Sequence, residues 1–131
     1  MSGSLDTNIL LRLIIGDVPA QTVLADELIE KATHQLGVAD FVFVELEYAL
    51  TKNYSFSKAD TISFIRSTVA HPKLNCNRPL LFRALDKYEE TSGVSFVDVC
   101  LGVYADLTDH TPLYTFDKNL AKKLPHSKLL V

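Results

Sequence analysis

Tryptophan is absent, methionine occurs once, and glycine and proline occur five times each. That scarcity of chain breakers excludes collagen-like, proline-rich and linker-like classes. No repeat, low-complexity stretch or charge run is visible. The two cysteines, Cys76 and Cys100, stand alone. Without a C-x-x-C pattern they frame neither a disulfide scaffold nor a zinc ribbon, and they read as reduced thiols of a cytoplasmic protein. His34, His71, His110 and His126 are scattered and form no zinc-type pair. No apolar run reaches the ~20 residues that a membrane helix needs, and "ILLRLII" is broken by Arg12. No basic start leads into an apolar run and a cleavage site, so no secretory signal is expected, and the opening "MSGS" (residues 1–4) reads as an expression scar. Positive charge is also short: 13 basic against 16 acidic residues give a net charge of -3. Binding nucleic acid by bulk charge is therefore not expected. The balance leaves room for a local acidic site or for a basic partner.

What is present fits one soluble globular domain over residues 1–131, with 47% hydrophobic and 22% charged residues. Short apolar runs alternate with helical periodicity. "ILLRLII" predicts a buried helix stopped by Gly16, and Pro19 suits the first turn of the next. Ala20, Leu24, Leu28 and Ala32 recur at i+4 and predict its apolar face, with Gly37 as its stop. "GVA" predicts a short strand and "FVFVELEYALTKNY" mostly helix. Ser57 with Asp60 makes a helix start, and Ile62, Ile65 and Val69 carry that helix to His71 and Pro72. "KLNC" is a weak strand, and Pro79 opens a helix carrying Leu81, Leu85 and Tyr88. "SFVDVCLGVYADL" is apolar nearly all round and predicts a central helix. "PLYTF" and "KLLV" predict strands on either side of the short helix "DKNLAKKL". Strands separated by helices predict an α/β fold with a parallel sheet covered on both faces.

Ligands of such folds bind beyond the carboxyl ends of the strands. That rule singles out Asp6 and Asp117, each placed after an expected strand. Glu45 and Asp98 stand out differently, as lone carboxylates inside apolar runs, where unpaired burial is costly. Each has a plain structural explanation. Asp6 and Asp117 can cap helices, Asp98 can complete a start begun by Ser95, and Glu45 can face outward and pair with a lysine. The chain supplies its own control, since Ser57 and Asp60 repeat the Ser95–Asp98 spacing with no hint of chemistry. Four carboxylates at one sheet edge would repel by roughly 3 kcal/mol per pair at ~5 Å and an effective dielectric of about 20. Such a cluster needs cations or shared protons, and hard divalent ions with oxygen ligands are the natural answer.

"LDTNILLRLIIGD", "VELEYALTKNY", "SFVDVCLGVYA" and "LYTFDKNLAKKL" resemble, in order, the signature blocks of PIN domains, closest to the VapC-type toxin ribonucleases of VapBC toxin–antitoxin systems. The resemblance covers nearly the whole chain. It implies a three-layer α/β/α sandwich with a five-stranded parallel sheet in the order 3-2-1-4-5. It implies a pocket of Asp6, Glu45, Asp98 and Asp117 that binds one or two Mg²⁺ or Mn²⁺ ions and hydrolyses RNA to 5′-phosphate and 3′-hydroxyl ends. Thr7, Asn8 and Thr115 fall at the family's supporting polar positions. The implied partners are RNA, a small antitoxin protein and a second copy in a homodimer, with no membrane. Fewer residues precede Asp6 than is usual in the family, so either a native start has been trimmed and replaced by a scar or the first strand is very short. Arg12, Lys52, Lys118 and Lys122 lie near the motif blocks and could grip RNA, or be plain surface charge. Two other enzymes place Asp after a first strand. A dehalogenase-type phosphatase wants a second Asp where Asn8 stands, and a receiver domain wants an acidic pair before Asp6. Flap-type DNA nucleases carry more acids. The main alternative is a PIN-like scaffold that binds RNA or a protein partner without cutting.

Overall fold

The structure, a computed structural model, describes residues 3–131. The chain forms two compact units, the first ending at Asn77 and the second spanning Arg78–Val131.

The first unit opens with residues 3–5 in extended form and then α1 (Thr7–Ile15). Gly16, at φ 68 and ψ 20, closes α1 and donates its N–H to the Arg12 carbonyl, a left-handed stop that glycine adopts without strain. Helices α2 (Pro19–Lys31), α3 (Asp40–Tyr48) and α4 (Lys58–Val69) follow, with a π-helical turn, Ala49–Asn53, continuing α3. Strands β1 (Leu36–Gly37) and β2 (Leu74–Asn75) pair in parallel, Leu36 opposite Leu74. On the other side of β1, Ser4 makes a single parallel bridge to Gly37, so β1 lies between residue 4 and β2. Among the described residues, the segment before Asp6 makes only this one bridge. Gly3 and Ser4, half of the stretch read as a scar, belong to this ladder, the Gly3 carbonyl accepting from Gly37 N–H at 2.8 Å; the other half lies outside the described residues.

Helix α2 corrects the sequence reading in two ways. Its buried residues are Ala25 and Ile29, while Leu24 and Leu28 are 66% and 45% exposed. The hydroxyl of Thr22 fixes the rotation by donating to the Arg12 carbonyl at 2.9 Å, which turns Ala25 and Ile29 inward. The helix also stops at Lys31 rather than near Gly37, because Lys73 Nζ takes up the carbonyls of Ile29 (2.9 Å) and Glu30. A lysine that occupies the last carbonyls satisfies a helix end that has no glycine.

The core of this unit centres on Phe43, Leu46 and Leu50 with Ile65 and Val69 of α4, each at 0% exposure. Thr61 of α4 shares that burial, and among the described residues its Oγ1 is a buried side-chain oxygen with no hydrogen-bond partner. Desolvating a hydroxyl without a partner costs about 1–3 kcal/mol. Thr61→Val, which replaces the hydroxyl by a methyl of similar size, should therefore raise stability by ~1 kcal/mol and Tm by about 3 °C. Calorimetry that found a lower Tm would show that the hydroxyl is satisfied in solution.

The second unit holds α5 (Arg78–Glu90), α6 (Phe96–Leu107), β3 (Leu113–Thr115), α7 (Lys118–Lys123) and β4 (Ser127–Leu129). Helices α5 and α6 pack through Leu81, Ala84, Leu85 and Val99, all fully buried, and through the rings of Tyr88 and Phe96 at 5.2 Å. Strands β3 and β4 pair in parallel, Leu113 opposite Ser127 and Thr115 opposite Leu129. Ser127 Oγ donates to the Leu124 carbonyl at 2.6 Å, tying the start of β4 to the end of α7. Helix α6 was expected to be central. It buries Phe96, Val99, Cys100 and Val103, yet Val97, Leu101 and Tyr104 are 44%, 45% and 53% exposed, so one flank is open.

The architecture is mixed α/β, rich in helix, with short parallel strands. Among the described residues there are four strands and one isolated bridge rather than five strands. No single helix among them is long and apolar enough to cross a membrane.

Candidate functional site

Asp6 and Asp117 occupy the same local position, between an extended segment and a helix. Asp6 is exposed and caps α1, its Oδ1 accepting the Ile9 N–H at 3.2 Å. Asp117 is exposed and caps α7, its Oδ1 accepting from Asn119 N–H at 2.9 Å and Leu120 N–H at 3.1 Å. In each case Oδ1 serves the helix, and Oδ2 has no hydrogen bond among the described residues. The Asp117 N–H itself donates to Thr115 Oγ1 at 3.0 Å, so Thr115 fixes the backbone that carries the acid. Thr7 is half-buried at the first position of α1, and Asn8 beside it is exposed.

Asp98 is half-buried in the first turn of α6, where its N–H donates to Ser95 Oγ at 3.2 Å. Asp60 does the same with Ser57 Oγ at 3.0 Å. The two starts are locally alike, and local geometry does not mark Asp98 as special. Glu45 takes the outward setting of its two readings. Helix α3 buries Val42, Phe43 and Leu46, which turns Glu45 to solvent, where among the described residues it forms no ion pair with a lysine.

The first unit thus carries Asp6 and Glu45, on helices α1 and α3 that pack together. The second carries Asp98 and Asp117, on α6 and α7, both of which touch β3. Carboxylate oxygens are the donors that Mg²⁺ and Mn²⁺ prefer. The chain supplies that donor type. Among the described residues, however, no three His, Cys, Asp or Glu side chains are gathered closely enough to hold an ion. In donor type the four carboxylates suit a divalent ion, two from each unit.

Arg12 is a structural residue. Its Nε donates to Gln21 Oε1 at 2.7 Å and its Nη1 to Asp17 Oδ1 at 2.9 Å. The Tyr54 hydroxyl and then the Asp17 carboxylate hold its charge, raising its pKa further above the usual arginine value. Its Nε and Nη1 thus face Gln21 of α2 and Asp17. Lys52, Lys118 and Lys122 are exposed and make no ion pair among the described residues.

A groove of about 480 Å³ between α1 and α2 is lined by Asp6, Asn8 and Ile9 on one side and Leu24 and Leu28 on the other. A larger one of about 750 Å³ lies behind it, against Phe64 and His71, and contains none of the four acids. Two features had gone unread in the sequence. One is the anchoring of α7, through Asn119 Nδ2 to the Gly93 carbonyl (2.8 Å) and Lys123 Nζ to the Ser92 carbonyl (2.6 Å). Gly93 sits at φ 75, and a Cβ there would come within 2.6 Å of Lys123 Nζ. The other is a set of exposed rings, Phe41, Tyr48 and Phe116, each beside one of the acids in sequence.

Helices between short parallel strands, with Asp6 and Asp117 each leading from an extended segment into a helix, define a helix-rich α/β protein. The sequence matches the family described as PIN domain over residues 4–124, and the chain belongs to that family. No curated protein matches it. Membership brings a nuclease-like fold, and PIN domains are commonly nucleases that act on RNA.

Proposed function

We propose that the chain is a divalent-metal-dependent endoribonuclease, the toxin of a toxin–antitoxin pair. The observation that carries this reading is the PIN domain match over residues 4–124, which spans Asp6, Glu45, Asp98 and Asp117 with none of them lost. The exposed cap positions of Asp6 and Asp117 add to it, because each keeps one carboxylate oxygen for a ligand. The ion would supply charge neutralisation and an activated water for phosphodiester hydrolysis. In this reading Thr7, Asn8 and Thr115 orient the acids, and the enzyme works in the cytoplasm as a homodimer restrained by a small antitoxin. The five-stranded sheet of order 3-2-1-4-5 and the single domain belong to the same reading. Residue 4 beside β1, β1 beside β2, and β3 beside β4 are three of the four neighbour pairs in this order.

The test is cleavage of total RNA with Mn²⁺ or Mg²⁺, followed by addition of EDTA. Cleavage to 5′-phosphate ends that EDTA lowers at least ~100-fold is expected. Undiminished cutting in EDTA would refute metal dependence. A non-cutting PIN-like scaffold is favoured by one observation, the absence of a gathered acidic triad among the described residues. Titration calorimetry separates the two readings: a scaffold binds no Mn²⁺, whereas the nuclease binds it and loses binding on Asp98→Asn.

A further inference from the structure

We propose that Asn119 is a positioning residue, tying the turn that carries Asp117 to the turn that carries Asp98 so that these two acids act on an ion together. The proposal rests on the divalent ion proposed above. It adds which side chain outside the four acids sets how two of them are held.

Asp117 and Asp98 come from separate parts of the second unit, one at the cap of α7 and the other in the first turn of α6. Asn119 links the two. Its backbone N–H donates to Asp117 Oδ1 at 2.9 Å, and its side-chain Nδ2 donates to the Gly93 carbonyl at 2.8 Å. Two residues after Gly93, Ser95 Oγ accepts the Asp98 N–H at 3.2 Å. One residue thus holds a carboxylate oxygen with its backbone and the approach to α6 with its side chain. Thr115 steadies the same acid from the strand side, its Oγ1 accepting the Asp117 N–H at 3.0 Å.

The link selects an amide. The Gly93 carbonyl needs a donor, which an aspartate at 119 would not offer when ionised. A lysine there would bring a cation on a flexible stem to compete with the ion for Asp117. Asparagine is a neutral donor on a short arm, so it fixes a spacing without adding charge. Gly93, at φ 75, takes a left-handed conformation that glycine adopts without strain, and at this bend the successive carbonyls of Ser92 and Gly93 both meet α7. Lys123, one turn along α7 on the same face, donates its Nζ to the Ser92 carbonyl at 2.6 Å. Both side chains fasten α7 to one loop, yet only Asn119 sits in the turn that Asp117 caps. A purely structural link would make the two equivalent, and a positioning role makes them differ.

Mn²⁺ binding by titration calorimetry and melting curves are measured on wild type, Asn119→Ala and Lys123→Met, the titrations at a temperature where all three are folded. Alanine keeps the N–H that bonds Asp117 Oδ1 and favours helix, so it removes the amide link alone. Both variants should lower Tm by about 3 °C, one hydrogen bond each. Asn119→Ala should weaken Mn²⁺ binding about tenfold, whereas Lys123→Met should stay within about twofold of wild type. With RNA, at a Mn²⁺ concentration near the wild-type Kd, Asn119→Ala should lower kcat about fivefold and leave KM for RNA unchanged, because the residue acts through the acids. Equal Mn²⁺ affinity in wild type and Asn119→Ala, or equal losses in both variants, would overturn the positioning role and leave metal-dependent cleavage standing. A raised KM with unchanged kcat would make Asn119 an RNA contact and overturn it as well. A wild type that binds no Mn²⁺ would refute the metal reading itself, and this proposal with it.

Discussion

Asp6→Asn and Asp117→Asn should each lower RNA cleavage by ~100-fold or more while leaving stability within about 1 kcal/mol of wild type. The second half of that statement gives the first its meaning. Both acids cap helices through Oδ1, and asparagine caps as well as aspartate, keeping the accepting oxygen. What the substitution removes is the negative charge on the oxygen that the helix does not use. If the acids were only caps, both variants would fold and cut normally. Alanine at either position removes charge and cap together, and should add a loss of ~1 kcal/mol to the loss of activity. Asp98 and Asp60 extend the argument, because each sits in the first turn of its helix with its N–H on a serine oxygen. Asp98→Asn should abolish cleavage and Asp60→Asn should not. Cleavage rates and melting curves on the same preparations decide the matter. A fall in rate that merely tracks a fall in Tm would refute the catalytic assignment.

The sequence made much of this legible, for physical reasons that differ from element to element. The ends of α1, α4 and α6 could be read because Asp6, Gly16, Ser57 and Ser95 act on backbone groups within a few residues of themselves. Helix α2 was misread because its face is set at a distance. Thr22 bonds to the Arg12 carbonyl and Lys73 to the carbonyls of Ile29 and Glu30, and neither partner is visible in the local period. Without those bonds Leu24 and Leu28 look like the buried pair. Glu45 stayed open between two settings for a related reason. A run such as "FVFVELEYAL" looks uniformly apolar, but a helix rotates by about 100° per residue and can bury Phe43 and Leu46 while exposing Glu45. The signature blocks were legible through their order along the chain, and the PIN domain match covers residues 4–124.

Phe43→Ala should destabilise the protein by ~3–5 kcal/mol, the largest stability effect expected of any substitution considered for α3. The Phe43 side chain is fully buried on the helix face that meets α1 and α4, and its removal leaves a cavity that rigid helices do not close. Against a typical total of about 5–15 kcal/mol, that loss takes roughly a fifth or more of the stability and raises the unfolded population. Urea titration should show a lower midpoint with an unchanged slope. Two residues away, Phe41→Leu should leave the midpoint where it is, because Phe41 is 74% exposed. Phe43→Ala lowers RNA binding and cleavage together, in proportion to the fraction unfolded, and cooling restores both. If the two variants shift the urea midpoint alike, the orientation of α3 described here is wrong, and with it the exposed setting of Glu45.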